Sequence, residues 1–182
     1  MYIHGGIAYS ASLKLPDGDY PYRIVDQELT VVLREFGQNL GLRVKLSPKV
    51  SGQVKGGLPR SSALTFLNTL CRMYGLDWYF DGSTLHVTSV TEEVTRFLPA
   101  RQETQAKLAE HLKRLSFYDD RFPLRSSPEN TAIVVSGPPA YIALIDQTLA
   151  SMQREFGEFP TQTVIYRGGS VSVEKFAPDK VQ

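Results

Sequence analysis

Two different hydrophobic periods alternate along this chain, and the alternation limits the fold more than any other feature of the sequence. Apolar residues recur at the spacing of one helical face over 29–40, and Gly41 follows as a residue type that readily ends a helix. The next segment, 42–46, alternates apolar and polar residues, which is the period of a half-buried strand. A chain that changes repeatedly between these periods packs helices against a sheet. We therefore predict an α+β fold.

The pattern up to residue 91 outlines one small domain. Asp26 is predicted to cap the first helix and Ser61 the second, whose apolar face includes Leu64 and which Gly75 ends. Strands are predicted at 20–25, 42–46, 50–58, 76–80 and 84–90. The resulting order is β-α-β-β-α-β-β.

A second pattern follows the polar segment 91–93. Thr104 is predicted to cap a helix whose buried face includes Leu108, Leu112 and Leu115. A longer helix opens at 137–139 and ends at Gly157. Strands are predicted at 95–100, 123–126 and 131–136. The order of this second domain is β-α-β-β-α.

These patterns divide the chain into four segments. We predict a flexible N-terminus or remnant of an export signal at 1–19, a first domain at 20–91 and a second at 92–159. A strand-like tail occupies 160–182, and it either adds to a sheet edge or pairs with a partner.

Composition narrows the class of partner. The formal net charge is only +1, so the chain lacks the overall basic character that neutralises nucleic-acid phosphates. No run approaches the roughly 18 apolar residues that a membrane-spanning helix needs. We predict no nucleic-acid partner and membrane association only through another protein.

Catalytic and metal-binding signatures are absent from the sequence. The three histidines have no metal-ligand spacing, His86 is predicted to lie exposed on a strand, and the lone Cys71 fits a buried helix face. The acidic pairs 92–93 and 119–120 fall in polar segments and are interpreted as solvated turns. Nucleophile-elbow, phosphate-loop and dinucleotide motifs are missing as well. We predict no enzyme, no cofactor and no metal.

The order β-α-β-β-α also occurs in KH-type RNA-binding domains, which clamp RNA with a GxxG loop. No two glycines of this chain stand three residues apart. The second domain therefore fits a scaffold better than an RNA clamp.

Aromatic residues mark two candidate interaction surfaces. Neighbouring residues of a strand point to opposite faces, so at least one aromatic of the segment 78–80 is predicted to be exposed, while a core position is favoured for Trp78 itself. A second group surrounds Asp119. The candidate interaction residues are Trp78, Tyr79, Phe117, Tyr118, Arg121 and Tyr166.

Two stretches resemble a known family. The segment DWYFDGSTLHV at 77–87, together with SPKVSGQVKG at 47–56, is similar to the first periplasmic domain of type III secretion secretins. The segment TAIVVSGPPAYIALIDQTLASM at 131–152 is similar to their second periplasmic domain. The resemblance implies a signalling-type (STN-like) domain, shared with TonB-dependent receptors, followed by a KH-like ring-building domain.

From this resemblance we expect a structural subunit of the periplasmic collar of an outer-membrane secretin. Its partners would be other secretin subunits and the inner-membrane ring protein. Because full-length secretins continue into an outer-membrane β-domain, the sequence is expected to be either an excised fragment or a split secretin of the rhizobial NolW type, with the second option favoured. The alternative function is a periplasmic signal-transfer module like that of TonB-dependent receptors.

Overall fold

The structure is a computed structural model, and it describes residues 13–56, 58–100, 102–156, 162–167 and 170–175. The chain divides into two compact units, of which the first ends at Glu92 and the second begins at Glu93. Each unit combines helices with strands, so the α+β prediction is confirmed.

The first unit contains two helices and two small sheets. Its elements are β1 (Asp26–Glu28), α1 (Leu29–Leu40), β2 (Arg43–Leu46), β3 (Gln53–Lys55), α2 (Ala63–Tyr74), β4 (Leu76–Phe80), β5 (Thr84–Ser89) and a 3₁₀ turn at Val90–Glu92. Strands β1 and β3 pair antiparallel. In the other sheet β5 is central, parallel to β2 and antiparallel to β4.

The start of the first unit differs from the prediction. The segment 20–25 is not a strand, because Tyr20 and Ile24 bury their side chains in the core and the Tyr20 ring packs on Phe66, 5.0 Å between ring centroids. The first strand is the polar β1, and Asp26 belongs to it instead of capping α1.

Short-range rules predicted the helix ends better than the helix starts. Gly41 and Gly75 both adopt left-handed backbone conformations, with φ of 67° and 60°, and end α1 and α2 as predicted. The cap of α2 is Ser62, one residue after the predicted Ser61, and its side chain accepts a hydrogen bond from the backbone N–H of Thr65.

The core of the first unit lies between its helices and sheets. Cys71 is buried in it as predicted, whereas Leu64 is 41% exposed and the prediction for that residue is wrong. Leu64 stands in the first turn of α2, outside the buried stripe. The side chains with no exposed surface include Leu29, Val32, Leu33, Phe36, Val54, Leu67, Leu70, Leu85 and Val87.

The second unit packs helices on one antiparallel sheet. Its elements are β6 (Val94–Pro99), α3 (Gln102–Arg114), β7 (Arg125–Ser126), β8 (Ala132–Gly137), α4 (Pro139–Phe156), β9 (Gln162–Arg167) and β10 (Ser170–Lys175). The strand order is β10-β9-β6-β8-β7. The predicted tail therefore adds two strands to the sheet edge, which is the first of the two outcomes expected for it.

Two predictions about α3 are wrong. Thr104 is buried inside the helix instead of capping it, because the helix begins at Gln102. Leu115 is 44% exposed, because the helix ends at Arg114 and the chain then turns through Ser116 with a φ of 59°. Leu108 and Leu112 are fully buried as expected. The predicted stop at Gly157 lies outside the described residues.

Candidate interaction surfaces

The aromatic residues of β4 lie inside the protein. Trp78 is buried, and its indole N–H donates to Asn68 Oδ1 at 2.9 Å. Tyr79 has no exposed surface and stands opposite His86 in the strand register. Both faces of β4 are buried at these positions, so the core position favoured for Trp78 is confirmed, and an exposed interaction role is wrong for Tyr79 as well as for the minor reading of Trp78.

The turn after β4 is organised by one carboxylate. Asp81 accepts hydrogen bonds from the backbone N–H groups of Ser83 and Thr84, at 2.9 and 2.8 Å, and its other oxygen lies 2.7 Å from His86 Nε2. Burial raises the pKa of the Asp81 carboxyl, but the hydrogen bonds from His86, Thr84 and Ser83 together outweigh burial and lower the pKa to about 2. His86 is thus half-buried and paired, not exposed as predicted.

The end of the first unit contains a second organising carboxylate. The Glu92 side chain accepts from the Ser47 hydroxyl and, at 2.9 Å, from the backbone N–H of Ser89. The acidic pair at 92–93 was interpreted as a solvated turn, and this interpretation is wrong for Glu92. Its carboxylate instead fixes the end of β5 to the segment that follows β2.

The loop between α3 and β7 contains an ion pair whose carboxylate is buried and whose guanidinium reaches the surface. Asp119 is 2% exposed, and its carboxylate receives Arg121 Nε at 3.0 Å and Arg121 Nη2 at 2.6 Å, together with the Arg121 backbone N–H at 3.1 Å. Such a two-pronged, charge-assisted contact fixes both direction and distance. Asp120 is exposed, so the expectation of a solvated pair holds for Asp120 and fails for Asp119.

Aromatic packing holds the same loop against β8 and α4. The Phe122 ring lies 5.5 Å from the Tyr141 ring, and a Cβ placed on Gly137 would come within 3.0 Å of Phe122 Cγ. Lys113 Nζ lies 4.9 Å above the Tyr118 ring. Burial raises the pKa of the Tyr141 hydroxyl, as expected for a phenol removed from water.

The structure separates the candidate residues of this loop into two groups. Tyr118 is buried, with Lys113 over its ring, so the prediction of an exposed interaction role is wrong for Tyr118. Phe117 is half-buried and the Arg121 side chain is 37% exposed, so both reach the surface. Phe117 and Arg121 therefore remain candidates for contact with a partner.

A further apolar surface lies on the sheet of the second unit. Ile133, Val135 and Leu98 bury their side chains on one face of the sheet. On the opposite face Phe97 is 36% exposed and stands opposite the half-buried Val134. We call this second face the open sheet face.

The open sheet face continues at Thr95, two residues before Phe97 on β6, and at Ser136, which pairs with Thr95. The hydroxyls of Thr95 and Ser136 lie 2.7 Å apart, and Tyr166 stands opposite Thr95 in β9. Tyr166, predicted from sequence as an interaction residue, pairs with Thr95 in the backbone register, and its role in an interaction stays a prediction. Phe97 was missed, although the alternation within 94–99 could have identified it.

The described residues offer no metal-binding cluster. In the ranges that the structure describes, no three His, Cys, Asp or Glu side chains come together as ligands. His86 pairs with Asp81, and His111 Nδ1 lies 2.6 Å from Arg114 Nη2. Among the same residues, no helix combines the length and apolar character needed to cross a bilayer.

Comparison with known proteins identifies the family. No family model matches the chain. The chain is 36% identical to the nodulation protein NolW of Rhizobium fredii over 184 residues, which cover 95% of this chain and 79% of that protein. It is also 28% identical over 140 residues to the type 3 secretion system secretin of Ralstonia nicotianae. The chain belongs to the secretin family.

Within the secretin family the two kinds of relative differ in coverage. The alignment with the Ralstonia secretin covers 77% of this chain but 24% of that protein. A type 3 secretion system secretin of Xanthomonas euvesicatoria is 31% identical over 123 residues, which cover 20% of its length. This secretin-family chain thus matches a minor part of the type 3 secretion system secretins and most of NolW.

Solved structures show the same fold. A chain in the atomic model of the Salmonella SPI-1 injectisome basal body proteins InvG, PrgH and PrgK matches 85% of this chain with a TM-score of 0.67 at 20% identity. A chain in the refinement of InvGN0N1:SpaPQR:PrgHK from the same injectisome matches 78% with a TM-score of 0.65 at 23% identity. These likenesses show that the secretin-family chain has the fold of small α+β domains found in those assemblies.

Proposed function

We propose that this chain is a structural, non-enzymatic subunit of the periplasmic collar of a type III secretion system secretin. The observation that carries the proposal is the 36% identity with NolW along nearly the whole chain, joined by matches to type 3 secretion system secretins. The fold likeness to injectisome basal-body chains supports the same role. In that role the chain supports protein export by assembling with other secretin subunits and by contacting the inner-membrane ring.

The finer domain assignment is part of this proposal. Residues 20–91 form the STN-like domain and 92–159 the KH-like ring-building domain, with 1–19 preceding them and the tail 160–182 following. The element order β-α-β-β-α-β-β up to Ser89 and β-α-β-β-α from Val94 supports this assignment. The signal-transfer alternative receives no support from the secretin relatives.

In this proposal a ring forms because each copy of the chain makes the same contact with the next copy. We place the open sheet face of one copy against the helical side of the next, because Phe97 offers apolar area there and the opposite face of the sheet is already buried. A heterologous contact of this kind generates a closed ring when its rotation divides a full turn. The half-exposed Arg121 and Phe117 add a polar and an aromatic contact at the same unit.

Co-purification tests this function. The tagged chain is isolated from envelopes of secretion-active cells, and partners are identified by mass spectrometry. We expect a pore-forming secretin and inner-membrane ring proteins, and recovery without either would contradict the proposal. The Phe97→Ser variant should reduce recovery at least about tenfold, the effect of losing a central interface aromatic. Leu64→Ser is the matched control, since Leu64 is similarly exposed but belongs to the first unit.

A further inference from the structure

Strand β1 of the first unit has one edge without a strand neighbour. It pairs with β3 and with no other strand among the described residues. The residues that flank β1, Val25 and Leu29, both make backbone hydrogen bonds towards the β3 side. Because bonding residues alternate along an antiparallel strand, Asp26 and Glu28 direct their backbone N–H groups away from β3. Both side chains are exposed carboxylates, and we call this side of β1 the acidic edge.

Strand β2 of the same unit has a second open edge. It lies at one end of the three-stranded sheet and, in the ranges that the structure describes, pairs only with β5. Ser47, directly after β2, donates its N–H to Val87 O of β5 at 3.0 Å, so the alternate residues Arg43 and Lys45 also bond towards β5. The backbone groups of Val44 therefore face away from β5. The side chains of Arg43 and Lys45 are exposed, and we call this side of β2 the basic edge.

The charges of the two edges are not neutralised within the described part of the chain. The ion pairs found there involve neither the two acids of β1 nor the two cations of β2. Asp26 accepts a hydrogen bond from the Gln53 amide at 2.6 Å, which leaves its charge in place. Lys55 stands opposite Asp26 in the register but forms no ion pair with it. An open strand edge of one charge favours pairing with an open edge of the opposite charge.

A parallel pairing of the two edges satisfies backbone and charges together. In a parallel ladder, a residue whose backbone groups point towards the neighbouring strand lies opposite a residue whose groups point away from it. Asp26 and Glu28 therefore come opposite Arg43 and Lys45, with carboxylates and cations on the same face. An antiparallel pairing would place an acid opposite Val44 instead, and would put the acids and the cations on opposite faces.

We propose that the acidic edge of one copy pairs with the basic edge of the next copy, parallel and in the register Asp26–Arg43 and Glu28–Lys45. This inference rests on the proposed ring assembly and names a contact that the first unit contributes to it. Within one copy β1 and β2 belong to separate sheets, so a copy does not pair its own two edges. The contact is heterologous and each copy uses both edges, which is the geometry that a ring of identical copies requires.

Disulfide trapping tests the register. Glu28→Cys and Lys45→Cys are made on separate, differently tagged chains in a Cys71→Ala background, and the two chains are co-expressed in secretion-active cells whose envelopes are then oxidised. The Glu28 side chain makes no capping bond to α1, so its replacement leaves the helix start intact. We expect a disulfide between the two chains. Glu28→Cys with Lys49→Cys is the matched control pair and should give no such product, because Lys49 is an equally exposed lysine outside β2.

A charge swap in the same two chains tests the recognition. Arg43→Asp on the Lys45→Cys chain brings two acids together, and it should lower the disulfide yield about three- to tenfold, as expected when an opposite-charge pair across a ladder becomes a like-charge pair. Adding Asp26→Arg to the Glu28→Cys chain restores opposite charges and should restore the yield. A loss caused by misfolding of one chain would not be repaired by a substitution in the other.

The outcomes separate this inference from the proposed function. Equal disulfide yields from Lys45→Cys and Lys49→Cys, or a charge swap that does not restore the yield, overturn the edge contact. If the parent chain still co-purifies with a secretin in that case, the ring function stands. Failure of the parent chain to co-purify with a secretin contradicts the proposed function, and the edge contact falls with it.

Discussion

The ion pair in the α3–β7 loop predicts an asymmetry between its two partners. Asp119 is 2% exposed in the folded protein, so removing Arg121 leaves a buried carboxylate without its two-pronged partner. The Arg121 side chain is already 37% exposed, so removing the charge of Asp119 leaves a guanidinium that water can hydrate. Breaking a buried pair typically costs about 3–5 kcal/mol, and most of that cost is the desolvation of the stranded charge.

We therefore expect Arg121→Ala to lower the free energy of unfolding by about 3 kcal/mol and Asp119→Asn by about half as much. The smaller cost follows because Asn keeps an acceptor for the Arg121 backbone N–H and leaves a cation that water can hydrate. Urea unfolding followed by far-ultraviolet circular dichroism measures both values. Asp120→Asn, at the exposed neighbour, is the control and should change the free energy by less than about 0.5 kcal/mol. Equal costs for the two partners, or a larger cost for Asp119→Asn, would refute the reasoning.

Three further variants test other parts of the structure. Gly137→Ala should destabilise by about 1–3 kcal/mol, because its Cβ would crowd Phe122, and unchanged thermal unfolding would contradict this. Glu92→Gln should cost about 1–2 kcal/mol in urea unfolding through weakened bonds to its two donors. Asp81 has a folded pKa of about 2 against an ordinary 3.8, so its contribution to stability is complete above about pH 5 and is lost as the pH falls from about 4 to 2; because water screens this partly exposed carboxyl, we expect about 1 kcal/mol. Asp81→Asn should remove that part of the acid dependence, and an unchanged acid profile would exclude this role.

Local chemistry made part of the fold predictable from sequence. Gly41 and Gly75 end their helices because a left-handed residue is required there, and that requirement involves few neighbours. The hairpin around Asp81 was predicted for a similar reason, since a short polar turn separates two strand-like runs. These features depend on contacts between residues close in the chain.

Features that depend on distant contacts were not predictable in the same way. The segment 20–25 has the composition of a strand, but Tyr20 packs on the distant Phe66. Strand β1 is polar throughout and is defined by its pairing with β3. The burial of Asp119 likewise depends on a loop that folds onto α4 and β8. Aromatic clusters in sequence therefore identified core residues, such as Trp78, more often than surface residues.

Electron microscopy of the intact secretion complex tests the central claim most directly. The complex is purified from cells that express the tagged chain, and the tag position is marked with an antibody fragment. We expect copies of this two-unit fold in a closed ring on the periplasmic side of the secretin, with the open sheet face containing Phe97 covered by an adjacent copy. A complete complex whose collar contains no density for this chain would contradict the account.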